Sequence, residues 1–236
     1  MTLDELKNNI KTFTDKVGIV FNDEQLVHTA FTHRSYVNEH RGESIEHNER
    51  LEFLGDAVLE LVVTTFLYEK YADKAEGDLT AYRAALVNTN TISDAASKLG
   101  MNDCLYLSKG ESKDEGRARQ YILADTFEAV IGAIFMDQGY AVAEKFIAEN
   151  IFPLADEIVE KRLWQDSKSN FQEKAQEHVS ITPSYAVMKE EGPDHDKQFT
   201  VGAFLENEKV AEGMGRSKQE AEQVAAANAL KEKGWE

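Results

Sequence analysis

Residues 47–60, HNERLEFLGDAVLE, carry three carboxylates whose spacing aims them at one point. At about 100° per residue, Glu52 and Asp56 follow Glu49 by about 300° and 700°, so on a helix all three project within about 60° of one another. Leu51, Phe53, Leu54, Ala57, Val58, Leu61 and Val62 cover most of the remaining circumference, the pattern of a helix buried on nearly all sides. Two carboxylates about 4 Å apart repel by roughly 4 kcal/mol at an effective dielectric of about 20, so the group needs a positive partner. Arg50 points about 100° away from Glu49. With no Cys or His on the stripe the donors are all oxygen, which suits a hard divalent cation, Mg²⁺ or Mn²⁺, rather than zinc. Two such ions about 4 Å apart form an arrangement that cleaves phosphodiesters. A lone trio of acids also fits helix-surface charges or buried ion pairs, and Glu60 continues the stripe without needing to be a ligand.

A second acid pair shifts the balance toward a metal site. YILADTFEAVIGAIFMD (121–137) is another apolar helix, with Asp125 and Glu128 at i and i+3 on one side among Ile122, Leu123, Phe127, Val130 and Ile131. Gly55 and Gly132 interrupt the two helices, where glycine costs about 1 kcal/mol relative to alanine unless its missing side chain is used. Close approach of two backbones is the expected use. In 71–100, Glu76 and Asp78 flank Gly77 at the start of a helix expected from about Asp78. Acids there are also ordinary partners of a helix N-terminus.

NERLEFLGDAVL (48–59), AEGDLTAYRAALVN (75–88) and ILADTFEAVIGAIFMD (122–137) together resemble the bacterial ribonuclease III endonuclease domain. The likeness extends through HTAFTHRSYVNEH (28–40) and covers roughly residues 3–155. It implies that Glu49, Glu52, Asp56, Glu76, Asp125 and Glu128 line a catalytic valley. Glu52, Asp56, Asp125 and Glu128 would hold the metal, and Glu49 and Glu76 would act in the outer shell. It further implies a homodimer with Phe53 as a dimer contact; from the residues alone, packing of Phe53 inside its own subunit fits as well.

The last third reads differently. DSKSNFQEKAQEHV has Phe171, Ala175 and Val179 at helical spacing, with Ser169 or Asp166 available as N-cap. Three alternating runs follow, Tyr185 to Lys189, Gln198 to Leu205 and Lys209 to Gly213, separated by GlyProAsp (192–194) and the acidic-polar stretch Glu206 to Glu208. SKQEAEQVAAANALKEKG closes the chain as an alanine-rich helix. This α-β-β-β-α order resembles a double-stranded RNA-binding domain, a module that spans ~16 base pairs. The resemblance implies minor-groove contacts from Ser169, Gln172, Glu173 and Gln176, a second groove contact from His195, and phosphate contacts from Arg216, Ser217 and Lys218. Where that family commonly has two adjacent lysines, this chain has Lys218 and Gln219, so one phosphate contact is in doubt.

Composition alone argues against a polyanion partner. The net charge is −17, and residues 164–236 hold 9 Lys and Arg against 14 Asp and Glu, so bulk electrostatics repels phosphate. Positive charge must therefore be concentrated on faces: Lys168, Lys197, Arg216 and Lys218 in the second domain, and Lys109, Lys113, Arg117 and Arg119 in the first unless that run is only a solvated loop.

The expected organisation is multidomain: an all-α endonuclease domain over 1–160, a linker over 161–166, and a small α+β RNA-binding domain over 167–236. The single Cys104 excludes an internal disulfide framework. No apolar run approaches ~18 residues, so no membrane span is expected, and the N-terminus lacks a secretory h-region. The expected protein is a cytoplasmic, homodimeric endoribonuclease of double-stranded RNA. It would use two divalent ions per centre, Mg²⁺ with Mn²⁺ as substitute, and no small-molecule cofactor. Its products would carry 5′-phosphate and 3′-hydroxyl ends with two-nucleotide 3′ overhangs, and its substrates would include ribosomal RNA precursors and other structured RNAs. The competing readings are a non-catalytic duplex-binding protein and a helical phosphohydrolase of nucleotides. The first predicts a broken acid set, and the second needs no duplex reader.

Overall fold

The computed structural model describes residues 2–113, 116–160, 164, 166–192 and 197–235, and divides into two compact units, Met1–Trp164 and Gln165–Glu236. The first unit is helical: α1 Leu3–Val17, α2 Glu24–Ala30, α3 Arg34–Glu39, α4 Glu49–Lys70, α5 Glu76–Leu86, α6 Thr89–Leu99, α7 Arg117–Gln138, α8 Tyr140–Asn150 and α9 Pro153–Glu160. Its core is built around α7, which buries residues on every side, from Ile122 and Leu123 through Phe127, Val130 and Ile131 to Ile134. A helix apolar all round must be wrapped by others, and α4, α6 and α8 pack on it.

Two sequence expectations need revision here. The stretch after residue 71 forms two helices, the first beginning at Glu76, and they part where Asn88 adopts an extended backbone and its side chain accepts from Thr91 N to cap α6. Nor is α4 buried on nearly all sides. Phe53 is 82% exposed, and Leu61 and Tyr68 on the same side are also exposed, so the apolar circumference splits into a core face and a bare stripe.

The second unit contains α10 Ser167–Val179, the strands β1 Ser184–Glu191, β2 Gln198–Leu205 and β3 Glu208–Gly215, and α11 Lys218–Lys233. The sheet is antiparallel in the order β1-β2-β3. Asp166 is the N-cap of α10, accepting from the backbone N–H groups of Lys168 and Ser169. Phe171 and Ala175 of α10 meet Ala203 and Leu205 of β2 and Ala225, Ala226, Ala229 and Leu230 of α11 in one core. The alanines let α11 lie close on β3: a Cβ on Gly213 would fall 2.1 Å from Ala225 N, so only glycine fits there.

Candidate active site

The acidic residues meet where α4 crosses α7. A Cβ on Gly55 would lie 1.7 Å from the Glu128 carbonyl oxygen, and one on Gly132 would lie 2.1 Å from that of Leu51, so the backbones touch at both glycines. This contact puts the α4 turn carrying Glu52 against the α7 turn carrying Asp125 and Glu128. The start of α4 is fixed by buried Asn48, whose N–H donates to Thr32 O at 2.9 Å and whose carbonyl accepts from the N–H groups of Leu51 and Glu52.

Glu52, Asp125 and Glu128 each offer a carboxylate oxygen within 4.8 Å of the others, and all three are half-buried. Burial, then the charges of Asp125, Glu49 and Asp56, pushes the Glu52 carboxyl up to about 7. Burial, then Asp56, Asp125 and Glu52, pushes Glu128 up to about 8. Asp125 is raised by burial and by Glu49. Exposed Asp56 stands outside the close triangle, yet its charge acts on both glutamates. Glu49 acts on Glu52 and Asp125 from the edge, where Arg34 Nη1 meets its Oε1 at 3.2 Å and His47 Nδ1 lies 3.8 Å from its Oε2. Five of the six predicted acids thus form one electrostatic group. Glu76, exposed in the first turn of α5, contributes to none of these shifts.

Among the described residues no Lys or Arg forms an ion pair with Glu52, Asp125 or Glu128; Arg34 meets only Glu49 at the edge. Protons held by Glu128 and Glu52 relieve the repulsion up to about pH 7 to 8, and above that a hard cation held by three converging carboxylate oxygens would do so. The donor set fits a divalent metal. Glu60, the stripe's next acid, adds the smallest of these charges to Glu128 and is itself paired: Arg83 Nε lies 3.3 Å from its Oε2, and Arg83 also donates to Thr64 Oγ1. The partner arginines Arg34 and Arg83 carried no periodic signal of their own, because their role depends on which helices meet. Arg119 is also occupied, donating to Asn102 Oδ1 and to the Glu111 carbonyl, which makes it a strut of the loop before α7.

In the second unit, Ser169, Gln172, Glu173 and Gln176 share the solvent side of α10 and line one shallow recess. At the start of α11, Ser217 is the N-cap and accepts from Glu220 N, which leaves its hydroxyl proton free to be donated outward. Arg216 and Lys218 flank it and are exposed. His195 lies outside the described residues. The basic face is less open than expected, because Lys168 pairs with Glu222 at 2.5 Å, and both Lys197 and Lys218 approach Glu190. No described helix is long and apolar enough to cross a membrane.

A family model described as ribonuclease-III-like matches residues 23–154, and one for the double-stranded RNA binding motif matches 167–233. Ribonuclease 3 of Pelotomaculum thermopropionicum is 42% identical over 226 residues, covering 96% of this chain and 94% of that protein. Ribonuclease 3 of Bacillus cereus is 46% identical over 221 residues, covering 94% and 90%. A solved nuclease domain of ribonuclease III from Campylobacter jejuni, described for structural flexibility in a region involved in its dimer formation, aligns with a TM-score of 0.54 and 39% identity. It covers 61% of this chain and 99% of that one. The chain belongs to the ribonuclease III family of double-stranded-RNA-specific endoribonucleases.

Proposed function

We propose that the chain works as a cytoplasmic homodimer that cuts both strands of an RNA duplex with Mg²⁺, for which Mn²⁺ can substitute, leaving 5′-phosphate and 3′-hydroxyl ends with two-nucleotide 3′ overhangs. Ribosomal RNA precursors and other structured RNAs are the proposed substrates. The observation that carries the reading is the triangle of half-buried Glu52, Asp125 and Glu128, whose carboxylate oxygens lie within 4.8 Å of one another.

Glu52, Asp56, Asp125 and Glu128 would hold the divalent ions, two per centre. When bound, such ions supply an activated water and neutralise charge on the departing 3′ oxygen. The chain's own contribution is positional. Glu128 and Asp125 are fixed by the buried α7, Glu52 by the α4 crossing, and Glu49 by Arg34 from the side. Asp56 and Glu128 are assigned as catalytic groups together with the outer acids Glu49 and Glu76. Exposed Glu76 fits an outer role better than a direct one. No histidine or lysine is needed as a general base.

Duplex reading is assigned to Ser169, Gln172, Glu173 and Gln176 for one minor groove, to His195 for the next, and to Arg216, Ser217 and Lys218 for phosphates, with help from the N-terminus of α11. Phe53 is assigned to the dimer contact, supported by its exposure beside Leu61 and Tyr68. The test is a labelled duplex of roughly 30 base pairs, longer than the ~16 one domain spans, incubated with and without Mg²⁺ and mapped at both cut ends. Staggered cuts that require the metal are expected. Blunt or single-strand cuts, or equal cutting in chelator, would sink the reading.

A further inference from the structure

The phosphate-facing end of the second unit carries an acid in an unexpected position. Glu190, near the end of β1, lies between two lysines from different elements. Its Oε1 is 3.3 Å from Lys218 Nζ at the start of α11, and its Oε2 is 4.0 Å from Lys197 Nζ, just before β2. Glu190 pairs with Phe199 across the β1–β2 ladder, and Lys218 Nζ sits 5.6 Å above the Phe199 ring. One carboxylate and one ring therefore hold the ammonium group that the proposed duplex contact needs.

We propose that Glu190 is a built-in counterion of the RNA-reading face, which exchanges with a backbone phosphate on Lys218 when duplex binds and so sets both affinity and salt sensitivity. The exposure of the partners favours exchange over permanent pairing. Lys218 is 58% and Glu190 40% exposed, whereas Lys168 and Glu222, at 34% and 26%, form a tighter pair over the Tyr185 ring. An exposed pair contributes little, and a phosphate in the right place can take one member from it. The carboxylate stays behind, so the charge that Lys218 brings to the duplex is partly cancelled by Glu190. Fewer counterions are then released on binding, and the salt dependence is shallower than a count of lysines predicts. Pairing with Phe199 in the β1–β2 ladder ties the backbone of Glu190 to the sheet.

This inference rests on Lys218 being a phosphate contact, so the experiment separates the two claims. The full chain is titrated with an RNA duplex of roughly 30 base pairs in metal-free buffer at about 50 to 200 mM salt, as wild type and as Glu190→Gln, Glu208→Gln and Lys218→Ala. Glu208→Gln is the charge-matched control, because Glu208 pairs with Lys233 at the opposite end of the sheet. Glu190→Gln should bind about three- to fivefold tighter at the low-salt end, with a log–log salt slope steeper by about 0.5 to 0.9, while Glu208→Gln stays within about 1.5-fold of wild type. If the two glutamine variants behave alike, or if Glu190→Gln binds more weakly, the counterion role is overturned. Lys218→Ala distinguishes the cause. Weakened binding by Lys218→Ala alongside matching glutamine variants removes only Glu190's role, whereas wild-type binding by Lys218→Ala removes the phosphate contact and the inference with it.

Discussion

Gly55 and Gly132 face each other across the α4–α7 crossing, and at each the backbone of the other helix fills the space that a Cβ would need. A Cβ on Gly55 would lie 2.9 Å from Gly132 N, and one on Gly132 would lie 3.2 Å from Gly55 N. The atom nearest the hypothetical Gly55 Cβ is the carbonyl oxygen of Glu128 itself. Helix packing and the placement of the clustered carboxylates are therefore one contact: any change that spreads the helices also opens the acid triangle.

Gly55→Ala tests that coupling. A clash with backbone cannot be relieved by a rotamer change, so α4 and α7 must separate, at a cost of about 3 kcal/mol or more. The expected result is a clear drop in the thermal midpoint together with a shift of half-maximal cleavage to higher Mg²⁺ concentration. Gly18→Ala is the comparison, since Gly18 has positive φ but nothing within 4 Å of its Cβ. It should lose stability while keeping the wild-type metal response.

Glu128→Gln should abolish cleavage and leave duplex binding intact, and its stability should depend on pH in a defined direction. The Glu128 carboxyl is raised from 4.5 to about 8, with Glu52 alongside at about 7, so the metal-free folded state keeps protons that the unfolded chain has released. A raised acid costs nothing below the unfolded value. The cost grows as pH rises through the interval and is complete above about 8. In chelator, the variant should therefore be more stable than wild type at pH 8.5 by on the order of 2 kcal/mol after allowance for solvent screening, and the gap should close toward pH 5. Added Mg²⁺ should reverse the order at pH 8.5 by stabilising only wild type. Equal pH profiles for the two proteins in chelator would show that Glu128 carries no such burden.

Much of this site was legible in the sequence because helical period and glycine cost are local properties. The stripe of Glu49, Glu52 and Asp56, the pair Asp125 and Glu128, and the close approach implied by Gly55 and Gly132 all follow from spacing along one helix at a time. Features that depend on which elements meet in space were not legible. Phe53, Leu61 and Tyr68 have the same apolarity as the core residues between them, so the sequence cannot separate a buried face from a bare one. The pairs Arg34–Glu49, Arg83–Glu60 and Lys218–Glu190 join different elements and leave no periodic trace. The break between α5 and α6 turns on one extended residue, Asn88, in a run that otherwise reads as continuous helix.

Arg34→Ala separates positioning from stability. The Arg34–Glu49 pair is exposed, so its loss should change stability by less than about 1 kcal/mol. Glu49 would then lose the guanidinium that fixes its carboxylate beside Glu52 and Asp125. Cleavage at saturating duplex should fall about tenfold, the scale expected when an outer partner of a metal site is removed. Arg34→Lys should recover part of the rate by restoring the charge without the fixed planar geometry. A rate unchanged in Arg34→Ala would show that Arg34 does not position Glu49.

Phe53→Asp addresses assembly. With Phe53 82% exposed beside Leu61 and Tyr68, α4 presents an apolar stripe to water in the single chain, and a second copy is the proposed cover. An aspartate at the centre of such an interface loses a buried aromatic anchor and adds an unpaired charge, together worth 2 kcal/mol or more, roughly a thirtyfold or greater weakening. Sedimentation at micromolar concentration should give a dimer for wild type and a monomer for the variant. Because an exposed side chain contributes little to its own subunit, the variant's helical signal should match wild type. If it sediments like wild type, the stripe is not the contact, and the proposed two-nucleotide stagger would need another source for its second cutting centre.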